Sequence, residues 1–389
     1  MKEIFIDEDK NFTKIYLIED YKIIEKHNEN KKSPMIEGNI YVGKVQNVLP
    51  GMQAAFVRIG NTKNAFIHLK DILPKEDVTK LEKNELKTDI KNIIKPGDEI
   101  LVQVTRDENY KKGARVTCHI SFSKRFFVYM PETPFITISQ KIENKDTRNE
   151  LLNFFKENLP KEIGGVIRTS AENANKKEML EEINTLNNLW ENIKSKEITM
   201  APQELYNAGG IIKKYIIDNI DKGLERIIVR NQDLKSNVLN ILEEENIKLP
   251  IEINIDEDYL NKFDYENQIK KSENRKIWLD CGGFITIDKT EALTAIDVNT
   301  GKFIGKDDFE KTVFEVNKEA TIEIAKQLKL RDIGGIIIID YIDMHIEQNK
   351  QRILKIFEEE LKKDSSKVQI EGFTKLNLLE LTRKHVYTI

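Results

Sequence analysis

Four consecutive isoleucines, Ile336 to Ile339, run into Asp340 directly after the breaker pair Gly334-Gly335. An unbroken apolar run of β-branched residues predicts a short strand covered on both faces, as in a sheet with helices packed against it. Upstream, Phe284-Ile285-Thr286-Ile287-Asp288 and Ala292-Leu293-Thr294-Ala295-Ile296-Asp297-Val298 read as two further strands. Between the second of these and the isoleucine run, Phe309, Val313, Val316, Ala320 and Ile324 recur along one face of an amphipathic helix expected over 308–328. Another helix is expected over 347–362. The strand–helix–strand order predicts a sheet with covering helices in this last third of the chain.

Chemistry is most visible where these strands end. Asp297 and Asp340 each close an apolar strand, where an isolated charge is costly and needs a partner. If neighbouring strand ends bring them together, their repulsion must be offset by protonation or by a cation. Two carboxylates with waters suit octahedral Mg2+, which takes few protein ligands and accepts a phosphate oxygen as another. A metal held this way can polarise a phosphodiester. Pattern alone leaves a bland alternative open, in which Asp297 begins a turn with Asn299-Thr300-Gly301 and Asp340 caps the next segment. His345 has no partner at ligand spacing and the five histidines form no cluster, so no zinc site is expected.

The rest of the chain changes texture several times. At 389 residues it exceeds what one hydrophobic core fills, so two or more domains are expected. Ile4-Phe5-Ile6 and Ile15-Tyr16-Leu17-Ile18, separated by a turn-prone Asp7 to Asn11 stretch, read as a hairpin. From Gly38 to about Ser123, five or so short Gly-punctuated strands predict a small closed barrel. Met179, Ile183, Leu186, Trp190 and Ile193 mark a helix with one buried face, which makes Trp190 a core residue. Residues 204–272 mix strand-like and helical runs, with a polar helix expected over 257–272. The net charge of −4, from 62 basic and 66 acidic residues, is not the bulk signature of a nucleic-acid binder, but phosphate contacts need only a local basic stripe. Cys118 and Cys281 form no CxxC pair, so neither a disulfide framework nor a zinc knuckle is expected. The acidic N-terminus lacks a signal-peptide layout, and no stretch approaches the roughly 20 apolar residues of a membrane span. A cytoplasmic location is expected.

The stretches Thr290 to Lys302, Leu330-Arg331-Asp332-Ile333-Gly334-Gly335 and Ile339-Asp340-Tyr341-Ile342-Asp343-Met344 are long and ordered. Together they resemble the catalytic core of the ribonuclease E/ribonuclease G family, and the resemblance covers nearly the whole chain. It implies a multidomain α+β architecture. A ribonuclease H-like domain would be split between 1–36 and 204–272. An S1/OB-fold β-barrel over 37–122 and a 5′-sensor region over 123–203 would interrupt it. A DNase I-like α/β catalytic domain over 273–389 would follow. The implied activity is Mg2+-dependent hydrolysis of single-stranded RNA to 5′-phosphate and 3′-hydroxyl ends, with Mn2+ as a substitute metal and precursors of mRNA, rRNA or tRNA as substrates.

The resemblance also assigns residues. Asp297 and Asp340 match the family's metal-binding aspartates, and Asn299 its supporting asparagine. Asp343 is a candidate further ligand, with a structural cap as the alternative. Phe56 and Phe66 align with aromatics on which bases stack, against the alternative that both fill the barrel core, and Lys112 aligns with a lysine near the cleavage site. Arg168 and Thr169 match a pair that grips a 5′-monophosphate in a pocket shaped by Val128, while Gln140-Lys141 stands where the family has a basic pair. Asn377 replaces a usual glycine, Cys281 occupies a variable position, and the family's CxxC zinc link is not found before Ile389. The expectation is therefore a short member or a truncated sequence, a monomer or a homodimer without a zinc link. The competing function is a catalytically weak S1-type RNA-binding regulator or scaffold.

Overall fold

The computed structural model describes residues 1–60, 63–83, 85, 87–108, 112–301, 309–364 and 366–384. Tyr110 and Lys111, which precede Lys112, lie outside them, as do Lys302 and Asp308, which the Thr290 to Lys302 stretch and the helix expected over 308–328 include. The chain divides into two compact units, one of residues 1–31 with 224–388 and one of residues 32–223. Among the described residues, no helix is long and apolar enough to cross a membrane.

In the second unit, strand Ile40–Leu49 pairs with Ala54–Arg58 on one side and with Glu99–Arg106 on the other. Ala65–His68 and Arg115–Thr117 complete the ring, which closes a five-stranded barrel. The barrel is filled by Val45, Val57, Ile67, Val102 and Val116, each almost wholly buried. A four-stranded sheet carries Phe127–Met130 against Gly164–Ile167, and the helix Lys176–Ser195 buries Met179, Ile183, Leu186, Trp190 and Ile193 in the core of this region. At Gly165, φ is +151° and an added Cβ would lie 1.8 Å from the Val128 carbonyl oxygen, so only glycine permits this strand contact. Strand Gln203–Tyr206 pairs with Ile40–Leu49, and helix Gly210–Asn219 follows in the same unit. The other unit resumes only at Leu224.

In the first unit, the N-terminal hairpin gains a third strand. Lys2–Glu8, Phe12–Glu19 and Lys22–Asn30 join Arg226–Val229 and Glu252–Ile255 in one five-stranded sheet. The polar helix expected over 257–272 is shorter, spanning Tyr265–Lys271 after a single turn at Tyr259–Asn261. A six-stranded sheet follows, in the order Lys276–Trp278, Phe284–Lys289, Leu293–Asn299, Gly335–Asp340, Leu378–Arg383, Val368–Phe373. The strands Leu293–Asn299 and Gly335–Asp340 run parallel, joined through the helix Phe309–Leu330.

The isoleucine strand is covered on one face only, which corrects the expectation of two. Ile337 and Ile339 are fully buried with Ile296, Val298, Ile285 and Leu379 against helices Phe309–Leu330 and Glu347–Leu361, whereas Ile336 is 51% exposed. Both helices lie on the same side, so alternate residues of every strand face outward. Phe309, expected on the buried helix face, is exposed at the start of its helix.

Candidate active site

Asp297 and Asp340 are direct partners in the parallel pairing, so they sit side by side on adjacent strands about 4.8 Å apart. Both are exposed on the open face of the sheet, and the premise of buried strand-end charges is corrected accordingly. The physical reason is the one-sided helix cover: Ile296 and Ile339 point into the core and the aspartates that follow point away.

Around them the chain supplies positioning groups. Asn299, next outward on the same strand, donates from Nδ2 to Asp297 Oδ2 at 2.5 Å and so holds that carboxylate. Beyond it the backbone turns at Gly301, where φ is +59° and an added Cβ would lie 2.4 Å from the Gly282 carbonyl oxygen; the turn after Asn299 thus packs tightly on the Gly282-Gly283 turn. Asp343 lies on the segment that leaves the Asp340 strand and accepts a 3.4 Å bond from Asn377 Nδ2, while Asn377 Oδ1 accepts from Lys350 Nζ at 2.8 Å. The Asp340 carboxyl is raised above the ordinary carboxylate range, first by partial burial and then by the negative charges of Asp297 and Asp343.

Two contributors were not found from the sequence. Asn317, fully buried in helix Phe309–Leu330, donates to the Ile342 carbonyl at 2.8 Å and accepts from the Ile342 N–H at 3.1 Å, which clamps the segment between Asp340 and Asp343. Its signal was available, because a polar residue within the register of Val313, Val316 and Ala320 must find a partner inside. Lys350 left no comparable signal, since one lysine on a polar helix face resembles any other.

Among the described residues, no three His, Cys, Asp or Glu side chains gather into a set that could hold a metal ion. The donor set at this site is the Asp297–Asp340 pair. Two exposed carboxylates that repel each other, with room for water, fit a hydrated Mg2+ ion and do not fit a closed zinc site.

The other candidate residues lie in the second unit. Phe56 and Phe66 are cross-strand partners with ring centroids 6.1 Å apart and edge-to-face, both half-buried, while Ala55, Val57, Ala65 and Ile67 fill the barrel. Lys112 is exposed two residues before Ala114, whose carbonyl accepts from the Phe66 N–H. Val128 pairs with Val166, two residues before Arg168. Arg168 donates from Nη1 to the Lys124 carbonyl at 2.7 Å and lies 3.5 Å from Asp218, and Thr169 Oγ1 is 3.0 Å from Ser139 Oγ.

Comparison with known proteins assigns these features to a class. Residues 35–119 match the S1 RNA binding domain, and residues 121–386 match the ribonuclease E/G family. The chain is 36% identical to ribonuclease G of Escherichia coli strain K12 over 98% of its own length and 79% of that protein. A similar match, at 35%, is to ribonuclease G of Salmonella typhimurium. Ribonuclease E of a Synechocystis strain is 34% identical over 89% of this chain and 52% of that protein. The class so defined is an endoribonuclease, a multidomain α+β enzyme with an S1 barrel. The chain belongs to the ribonuclease E/G family.

Proposed function

We propose that this enzyme hydrolyses single-stranded RNA with Mg2+ held by Asp297 and Asp340, leaving 5′-phosphate and 3′-hydroxyl ends, in the processing and decay of mRNA, rRNA or tRNA precursors in the cytoplasm. The observation that carries this reading is the side-by-side placement of two exposed, mutually repelling carboxylates whose charge calls for a cation. When bound, Mg2+ supplies charge neutralisation and polarisation at the phosphodiester. Asn299 keeps the Asp297 carboxylate turned to its task, and Asn317 fixes the segment that carries Asp343. Water adds to phosphorus and gives up a proton, the bond to the 3′-oxygen breaks, and that oxygen leaves and takes up a proton, so that one water is consumed for each 5′-phosphate and 3′-hydroxyl end formed.

The same reading gives the second unit its part. Bases stack on Phe56 and Phe66, each stacked base being worth about 1–3 kcal/mol, and Lys112 meets the backbone charge. Arg168 and Thr169, with Val128 beside them, take a 5′-monophosphate; a guanidinium and a hydroxyl together satisfy several phosphate oxygens. Arg168 then exchanges its contact with Asp218 for the phosphate. The N-terminal five-stranded sheet belongs to the ribonuclease H-like part of this reading, and the six-stranded sheet to the DNase I-like part.

Cleavage of a short 5′-monophosphorylated RNA by purified protein tests the proposal. Activity should require Mg2+, disappear in Asp297→Asn, and fall on 5′-hydroxyl RNA for the parent but not for Arg168→Ala. Equal cutting by the parent and Asp297→Asn would defeat it.

A further inference from the structure

The open face of the six-stranded sheet carries a second cluster beside the aspartates. In the edge strand Lys276–Trp278, Trp278 is the partner of Phe284 and Lys276 that of Thr286. Phe284 in turn is the partner of Asn299, and Thr286 that of Asp297. Strand alternation therefore lays out two rows on one face: Lys276, Thr286, Asp297 and Asp340, then Trp278, Phe284 and Asn299. The indole and phenyl rings meet edge-to-face with centroids 5.3 Å apart, and Lys276 Nζ sits 4.1 Å from one centroid and 3.5 Å from the other. Trp278 is nonetheless 58% exposed.

A lone exposed tryptophan needs no explanation. This one is braced by a second ring and a cation, and the cluster continues without a break into the residues that hold Asp297. Phe284 is one strand spacing from Asn299 and Trp278 is two, or about 5 and 10 Å. Flat aromatic surface next to a positive charge is the chemistry that single-stranded nucleic acid selects, with the base on the ring and the phosphate on the cation. A purely apolar protein partner would gain nothing from Lys276 at the centre.

We infer that Trp278, braced by Phe284 and Lys276, is the stacking platform for a nucleobase flanking the scissile phosphate, on the RNA strand acted on at Asp297 and Asp340. This rests on the proposed role of the two aspartates. It makes Trp278 a determinant of where along a strand the cut falls, because a base must be free to leave its neighbours and lie on the indole.

Two measurements test it. The first uses Asp297→Asn protein and a short single-stranded RNA with Mg2+, and reads tryptophan fluorescence. The chain has two tryptophans, and Trp190 is buried. Saturable quenching is expected, and it should vanish when Trp278→Phe is added. The second uses the otherwise unaltered enzyme on oligonucleotides with an abasic residue at each position flanking the cut. At one position the parent should lose about 5- to 30-fold in kcat/KM. Trp278→Ala should lose as much on intact RNA and nothing further on that abasic substrate, while Trp278→Phe restores most of the rate. Equal abasic penalties for the parent and Trp278→Ala at every position, or no quenching, overturns the platform. If the parent does not cleave but the quenching is found, the role of the aspartates fails and the platform stands as a binding site.

Discussion

Asp332 and Asp364 belong to the same domain as Asp297 and Asp340, yet the two pairs of carboxylates meet opposite surroundings. Asp332 and Asp364 are buried against Arg383, which donates to them at 2.7 and 2.8 Å and to the Ile333 carbonyl at 2.9 Å with its own side chain fully enclosed. Asp297 and Asp340 are exposed, adjacent, and make no ion pair among the described residues. A charge that is neutralised inside the protein ties strands together. Like charges left open side by side on a surface cost stability until a cation arrives, and carboxylates perturbed in this way cluster at functional sites.

The largest effect that would break this contrast is catalytic. Asp340→Asn should lower single-turnover cleavage by about 10³-fold or more. Thermal melting without Mg2+ should stay equal to the parent's or rise slightly, because a repulsive neighbour of Asp297 and Asp343 has been neutralised. A large loss of stability would mean that Asp340 is structural after all.

Arg383→Met should do the reverse. It strands two buried carboxylates, at a cost of about 3–5 kcal/mol in denaturant unfolding. Activity per folded molecule, measured well below the melting temperature, should be nearly unchanged. Between these extremes lies Asn317→Ala, which leaves the buried N–H and carbonyl of Ile342 without their partner. A loss of about 1–3 kcal/mol is expected. It should come with a fall in kcat at nearly constant KM, since Asn317 positions the segment after Asp340 and touches no substrate.

The pH dependence of stability should differ in sign between two carboxylates of this domain. The Asp340 carboxyl is raised, so the native state holds a proton that the unfolded chain, at an ordinary value of about 3.9, has already released. Its contribution is thus fullest at acid pH and is lost as pH rises through the native value. Asp297→Asn removes one cause of the shift and should flatten that slope. Glu310 is lowered by accepting the N–H of Ile346, and those of His345 and the Asn349 side chain, so its contribution is present above the ordinary glutamate value and lost on acidification. Carboxyl NMR titration of metal-free protein reads both.

How much of this was legible differs from element to element. The helix carrying Met179 to Ile193 could be read residue by residue, because periodicity reports a single buried stripe directly. The isoleucine run marks its strand but not the strand's environment: nothing in a run of isoleucines says that Ile336 looks outward, since apolar residues are common on protein surfaces too. Pairing of Gln203 with Val42 joins segments some 160 residues apart, and no local pattern carries it. At the site, the two aspartates announced themselves at strand ends, whereas Asn299 acquired a role only through the family resemblance. The backbone clamp of Asn317 and the Lys350–Asn377–Asp343 chain depend on tertiary neighbours that a linear reading does not see.

The smallest predicted effect bears on Asp343, which could serve the metal or merely cap a turn. The family resemblance implies a glycine at Asn377, and the φ of +62° there suits either residue: the chain is in the left-handed region, which glycine enters freely and asparagine at little cost. Asn377→Gly should therefore gain only a few tenths of a kcal/mol from relief of the backbone. It should give back about as much by losing the bonds to Asp343 and Lys350, so the net change in unfolding free energy should be small. Function separates the two readings of Asp343. If Asn377 and Lys350 hold its carboxylate toward Asp340, releasing it should raise the Mg2+ concentration for half-maximal cleavage severalfold while leaving the rate at saturating Mg2+ intact. An unchanged Mg2+ titration would leave Asp343 on the structural side of the contrast, with Asp332 and Asp364.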